Sequence, residues 1–289
     1  MNPDPPGLPA FPALVSTDWL AARLGSPGLR VIDGSWYLPS SRRDPPAEYL
    51  AGHIPGAVFF DVDASSDPTS HLPHMLPDET AFARRMASLG LNDGDDLVVY
   101  DGSGNNLSAA RVWWTFRVFG HPRVAVLDGG SGKWRREKRL LESGPVKLPP
   151  RHFTARLDRD RVRDLAAVRS NLQSRRELVV DLRSAGRFSG AEPEPRPGVR
   201  SGHVPGSRNL PFTELVGPDG TILPEPELRS RLRQQGIDLS QPIIATCGSG
   251  TSACTLFLAL ELLGFHDVAL YDGAWTEWGG RHDTLIESG

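Results

Sequence analysis

The chain has 289 residues, with 39% apolar and 23% charged side chains. That is enough to build a sizeable core under a soluble surface, and it excludes a wholly disordered, collagen-like or coiled-coil protein. The formal net charge of −3 gives no overall basic field for nucleic acid, and two cysteines are too few for a disulfide framework or a four-cysteine zinc site.

The proline-rich start, Met1–Pro12, has no basic cluster followed by an apolar stretch, so no secretory signal is expected there. No window approaches a membrane-spanning length of uninterrupted apolar residues. With two cysteines seven positions apart and no framework, a reducing, cytoplasmic setting is expected.

In chain order, buried parallel strands are predicted at Leu29–Asp33, Leu97–Tyr100 and Val124–Leu127. Further strands are predicted at Leu178–Asp181, Pro242–Thr246 and Val268–Tyr271, all short β-branched runs. Helical patterns lie between them at Glu79–Leu89, Ala109–Phe119, Pro226–Gln235 and Ser252–Leu263. Gly90, Gly120, Gly236 and Gly264 stand just past their ends, where a left-handed cap is wanted. Alternating strands and helices predict an α/β layer fold, with ligands at the carboxyl ends of the strands.

The pattern occurs twice. Val31-Ile32-Asp33 leads to Gly52-His53-Ile54-Pro55-Gly56, and Val179-Val180-Asp181 leads to Gly202-His203-Val204-Pro205-Gly206. Tyr100-Asp101-Gly102-Ser103-Gly104 is echoed by Thr246-Cys247-Gly248-Ser249-Gly250, and Leu127-Asp128-Gly129 by Tyr271-Asp272-Gly273. The offset is nearly constant, 148 at the first aspartate (33 to 181) and 144 at the last (128 to 272). That is too long for a solenoid and fits two copies of one domain. The expected division is an N-terminal, non-catalytic copy over 9–145, a linker over 146–160 and a C-terminal copy over 161–289 that carries the cysteine loop. The proline-rich stretches Pro39–Pro46 and Ala191–Gly198 are expected to be loops.

Cys247 follows the strand Pro242–Thr246 and opens Cys247-Gly248-Ser249-Gly250-Thr251-Ser252-Ala253 before an apolar helix. A cysteine at that turn faces the positive end of a helix dipole and unpaired N–H groups, which favour the nucleophilic thiolate. A lone cysteine in an apolar strand is more often inert packing; the glycine-flanked turn shifts the balance to chemistry. Cys254, inside the helix, reads as core. A cysteine-phosphatase loop is excluded because Ala253 stands where its arginine is needed, and a P-loop because no Gly-Lys-Ser/Thr ends the run. The histidines show no i, i+4 pair, so no metal is expected. His53 and His203 occur in both copies and read as structural turn residues.

On these residues the chain resembles the tandem rhodanese-type sulfurtransferases over nearly its whole length. The resemblance implies two rhodanese-like domains, each a mainly parallel sheet with helices on both faces. Cys247-Gly248-Ser249-Gly250 is similar to the mercaptopyruvate branch, as are Gly186-Arg187-Phe188, Glu192–Arg196, Phe60–Asp63 and His74–Pro77. Thr251-Ser252 departs from the Val-Thr usual there.

The implied reaction moves sulfur from 3-mercaptopyruvate through a Cys247 persulfide to a thiol such as thioredoxin, or to cyanide, and releases pyruvate without any cofactor. The implied site has Cys247 as nucleophile, Ser249, His74 and Asp63 as an acid–base chain drawn partly from the first copy, and Arg187 and Arg196 on the substrate carboxylate. Gly248, Gly250, Thr251 and Ser252 would line the loop. Thiosulfate as donor, or a non-catalytic sulfur-carrier module, are the alternatives.

Overall fold

The computed structural model describes residues 11–289; residues 1–10, which include most of the proline-rich start and the first two residues of the expected N-terminal domain, lie outside it. The first five strands are β1 (Leu14–Val15), β2 (Leu29–Asp33), β3 (Val58–Phe59), β4 (Asp96–Tyr100) and β5 (Val124–Leu127). Their helices are α1 (Thr17–Ala21), α2 (Pro45–Ala51), α3 (Glu79–Ser88), α4 (Leu107–Val118) and α5 (Gly130–Arg136). The second set comprises β6 (Val162–Arg163), β7 (Leu178–Asp181), β8 (Arg208–Asn209), β9 (Ile243–Thr246) and β10 (Val268–Tyr271). With them come α6 (Leu165–Ser174), α7 (Ala185–Ser189), α8 (Glu225–Gln234), α9 (Cys254–Leu262) and α10 (Ala274–Gly280).

Each set makes one parallel five-stranded sheet flanked by helices, ordered β1-β5-β4-β2-β3 and β6-β10-β9-β7-β8. The α/β tandem architecture expected from the repeat is therefore present. The central strands are buried on both faces, which is why their sequences are continuous apolar runs rather than alternating ones. The four edge strands are only two residues long and carry no periodic signal, so the sequence does not reveal them. The four helix-end glycines all lie in the left-handed region, at φ +64° to +86°. Pro45 and Pro46 do not lie in a loop: they start α2, where a missing N–H costs nothing and Asp44 accepts from the Ala47 N–H.

Contacts group the chain into two units whose boundaries cross the sequence order. Among the described residues the first contains 11–68, 76–158 and 218–222, and the second contains 69–75, 159–217 and 223–289. Each has its own core. Val31, Val98, Tyr100, Leu127 and Trp134 pack in the first, and Val179, Ile244, Tyr271, Trp275 and Trp278 in the second. Trp134 and Trp278 are equivalent: their indole N–H groups donate to Leu140 and Leu285 carbonyls, both at 2.8 Å.

The Gly-His elements do the same work in both units. His53 pairs with Glu142 and His203 with Glu287 as backbone bridges. Each imidazole stacks on the aromatic ring of the preceding helix, His53 on Tyr49 at 4.2 Å and His203 on Phe188 at 3.7 Å. The two histidines are thus structural. No helix among the described residues is long and apolar enough to cross a membrane.

Candidate active site

The paired registers Asp33↔Tyr100 and Asp181↔Thr246 bring two strand ends side by side in each unit. The residue after the second strand is Asp101 in one unit and Cys247 in the other, and both lie at the carboxyl edge of the sheet. Cys247 is a free thiol, 2% exposed. Its carbonyl accepts the Trp275 N–H at 2.9 Å, and the Gly248 carbonyl accepts the Thr276 N–H at 3.0 Å and the Thr276 hydroxyl at 2.6 Å. The start of α10 therefore clamps the loop from behind. The equivalent bond in the first unit, Ser131 N–H to the Asp101 carbonyl, is 2.9 Å.

The two loop glycines serve different needs. Gly250 lies at φ +76°, so it supplies the turn. Gly248 is not left-handed; a Cβ there would come within 2.9 Å of Arg187 Nη2, so its role is to let the guanidinium approach the loop. Cys254 is fully buried and its thiol donates to the Gly250 carbonyl at 3.3 Å, so it belongs to the core as its sequence position indicates.

His74 belongs to the second unit, although it precedes the linker. It is 4% exposed and held at φ +62°, an uncommon conformation for a residue with a side chain. Its Nδ1 stands 3.0 Å from Ser249 Oγ and 3.0 Å from Thr251 Oγ1. One ring nitrogen thus faces two loop hydroxyls. Ser252, next in the loop, accepts through its carbonyl from Thr255 N–H at 3.2 Å. Asp63 is in the first unit, where it accepts from the Trp36 indole at 3.2 Å.

Arg187, on the short helix α7, is bonded through Nε to Glu194 at 3.1 Å. Arg196, with Thr276, Gly280 and Ser70–Pro73, lines a cavity of about 670 Å³ within the second unit. Beneath these stands a residue that the sequence reading did not single out. Arg183 is fully buried, bound through Nη2 to Asp181 at 2.6 Å and through Nη1 to Glu194 at 2.7 Å, with its guanidinium 4.3 Å from the centre of the Trp275 ring. Burial pushes its pKa down, but the Asp181 and Glu194 carboxylates outweigh this and hold it above the ordinary arginine value. Glu194 thereby links a buried arginine to the arginine over the loop. The available signal was Asp181-Leu182-Arg183: an arginine two residues after a buried strand-end carboxylate.

The Asp101 loop shows what this turn can hold. The Asp101 carboxylate is fully buried and accepts from Ser103 N–H at 2.8 Å, Ser108 N–H at 2.9 Å and Ala109 N–H at 2.8 Å. Two of these donors are in the first turn of α4, so a helix N-terminus stabilises the anion. Among the described residues no hydrogen bond reaches Cys247 Sγ; the expected ring of amides is occupied only in the first unit. A carboxylate oxygen lies two bonds beyond Cβ, whereas a thiol sulfur lies one bond beyond it. Also among the described residues, no group of three or more His, Cys, Asp or Glu gathers as a metal site.

The model of the rhodanese-like domain matches residues 16–137 and 164–281. The chain is 46% identical to 3-mercaptopyruvate sulfurtransferase of Rattus norvegicus, over 93% of this chain and 92% of that one. It is also 46% identical to thiosulfate sulfurtransferase of Cricetulus griseus, with the same coverages of 93% and 92%. The crystal structure of SseA from Escherichia coli, a 3-mercaptopyruvate enzyme, superposes with a TM-score of 0.84 at 42% identity, covering 91% of this chain and 98% of that one.

Proposed function

The chain belongs to the rhodanese-like family, and from that premise we propose that it transfers the sulfur of 3-mercaptopyruvate to a thiol acceptor through a persulfide on Cys247. Overall identity does not choose the donor, since mercaptopyruvate and thiosulfate enzymes are matched equally well. The observation that carries the choice is the hydroxyl–imidazole contact at the loop, Ser249 Oγ to His74 Nδ1.

The reason is the leaving group. Cys247 thiolate attacks the donor sulfur, the donor C–S bond breaks, and its electron pair goes to carbon as the pyruvate enolate. That carbon must gain a proton, and the thiol hydrogen carried in with the sulfur balances it, leaving Cys247–S–S⁻ and pyruvate. Ser249 and His74 form the route by which such a proton passes. Thiosulfate releases sulfite and needs no such route. The outer sulfur of the persulfide lies two bonds beyond Cβ, as the Asp101 carboxylate oxygens do. The backbone amides of the Cys247 loop and the start of α9 then receive it as those of the Asp101 loop and α4 receive the carboxylate. A thiol, of the kind carried by thioredoxin, next attacks the outer sulfur and returns Cys247 to thiolate.

Arg187 and Arg196 bind the keto-acid carboxylate, Arg187 through its position over Gly248 and Arg196 from the cavity wall. The family resemblance also assigns Asp63 to this acid–base chain. Gly248, Gly250, Thr251 and Ser252 shape the loop around the donor. The setting is cytoplasmic, consistent with two cysteines neither of which forms a disulfide.

Steady-state pyruvate formation from 3-mercaptopyruvate, set beside thiocyanate formation from thiosulfate and cyanide, tests the donor. The expected result is a higher kcat/KM for the keto acid; the reverse order overturns it. Arg187→Ala should raise KM for 3-mercaptopyruvate roughly ten- to a hundred-fold, the worth of a hydrogen bond to a charged group. An unchanged KM removes Arg187 from the carboxylate.

Thr251 competes with Ser249 for His74 Nδ1, because one ring nitrogen serves one hydroxyl at a time. Thr251→Val should free the nitrogen for Ser249 and raise kcat by about two- to ten-fold, with Thr251→Ser unchanged. A pH–rate profile and kcat identical to wild type show that Thr251 plays no part.

A further inference from the structure

The start of α10 does more than back the cysteine loop. In the second unit the Gly248 carbonyl takes two hydrogen bonds from one residue, the Thr276 N–H at 3.0 Å and the Thr276 hydroxyl at 2.6 Å. The first unit holds the matching carbonyl in another way. Ser131 N–H bonds the Asp101 carbonyl as Trp275 N–H bonds that of Cys247, so the residues that follow, Gly132 and Thr276, are counterparts. Gly132 has no side chain to offer. There the Gly102 carbonyl accepts from Arg43 Nη1 at 2.9 Å instead. Two different side chains, from different parts of the sequence, thus hold the same carbonyl in the two units.

The consequence lies on the far side of the peptide. A trans peptide is planar, and its C=O and N–H point in opposite directions. Fixing the Gly248 carbonyl against α10 therefore turns the Ser249 N–H away from α10 and back into the loop. In the first unit the same peptide, its carbonyl held by Arg43, aims the Ser103 N–H at the Asp101 carboxylate, 2.8 Å away. A hydrogen bond at the carbonyl also polarises the peptide, which makes its N–H the stronger donor. Among the described residues the N–H groups of Gly248, Ser249, Thr251, Ser252 and Ala253 have no hydrogen-bond partner, and Ser249 is 6% exposed. Donors left open together at one turn, in so little water, are arranged for an acceptor that arrives later.

We infer, resting on the Cys247 persulfide proposed above, that Thr276 is a positioning residue for sulfur transfer: by holding the Gly248 carbonyl it aims the Ser249 N–H at the outer sulfur of that persulfide. The outer sulfur, two bonds beyond Cβ, takes the place of Asp101 Oδ1 in the first unit and accepts the bond that Ser103 N–H gives there. The hydroxyl is the part particular to Thr276, because any residue but proline would keep the N–H.

The test is the equilibrium of sulfur loading on the full-length protein. Thiosulfate and the Cys247 thiolate exchange reversibly: the S–S bond of thiosulfate breaks, its outer sulfur bonds to Cys247, and sulfite leaves with the electron pair. Intact mass at fixed ratios of thiosulfate to sulfite gives the fraction of protein carrying the added sulfur, and from it the equilibrium constant. That constant does not depend on how tightly either ion binds in the Arg196 cavity, which Thr276 also lines. Thr276→Ala should lower it by roughly two- to tenfold, the worth of one neutral hydrogen bond. Thr276→Ser, which keeps the hydroxyl, should match wild type. Alanine is the best of helix formers, so the loss does not come from unfolding of α10. Equal constants for wild type and Thr276→Ala overturn the role of Thr276, and so does a loss that Thr276→Ser shares. A wild-type protein that takes sulfur onto Cys247 from neither thiosulfate nor 3-mercaptopyruvate overturns the persulfide itself.

Discussion

Replacing Cys247 by serine should reduce pyruvate formation from 3-mercaptopyruvate to background and abolish the mass gain of one sulfur after donor treatment. Serine keeps the loop, its α10 clamp and the packing against α9, since only one atom changes in a residue 2% exposed. What it removes is the ability to form a sulfur–sulfur bond, and every later step uses that bond. Intact mass spectrometry with and without 3-mercaptopyruvate, on wild type and Cys247→Ser, measures this directly. Cys254 offers no substitute, being buried in α9 with its thiol committed to the Gly250 carbonyl. Pyruvate formation at the wild-type rate by Cys247→Ser places the nucleophile elsewhere, and a retained mass gain places the persulfide elsewhere.

The second large effect is on stability rather than chemistry. Arg183→Met should destabilise the protein by about 3–5 kcal/mol, because it leaves Asp181 buried without its cation and Glu194 with Arg187 alone. Methionine fills a similar volume, so the loss reports charge rather than a void. Urea denaturation followed by tryptophan fluorescence measures it, with Trp275 under the guanidinium as a local reporter. Destabilisation below 1 kcal/mol shows that Asp181 is neutralised another way. Because Glu194 also holds Arg187, the same variant should raise KM for the keto acid, and by less than Arg187→Ala does.

Much of this architecture was legible because the central strands are buried on both faces. Val124–Leu127 and Val268–Tyr271 are found where their apolar runs put them. The helix ends were legible from glycines such as Gly90 and Gly264, whose left-handed conformation is a local property of the chain. The edge strands were not, since two residues such as Arg208–Asn209 hold no pattern and are defined only by their neighbours. At the site, Cys247 and its loop announced themselves by turn chemistry. The meeting of His74 with Ser249 rests on contacts between residues 175 positions apart, which no local pattern encodes. Arg183 escaped notice for a different reason. Its one local signal is the strand-end Asp181 two residues before it, and only the structure shows that Asp181 and Glu194 together compensate its charge.

The interleaved boundaries of the two units bear on how the chain can be divided and made. His74 is encoded ahead of the linker yet completes the unit that holds Cys247, while residues 218–222 complete the unit that precedes it. A gene cut at the linker therefore yields two fragments that each lack a piece of themselves, and the fragment with the thiol loses its imidazole. On the ribosome, too, the first half must wait for residue 222 to emerge before it is whole.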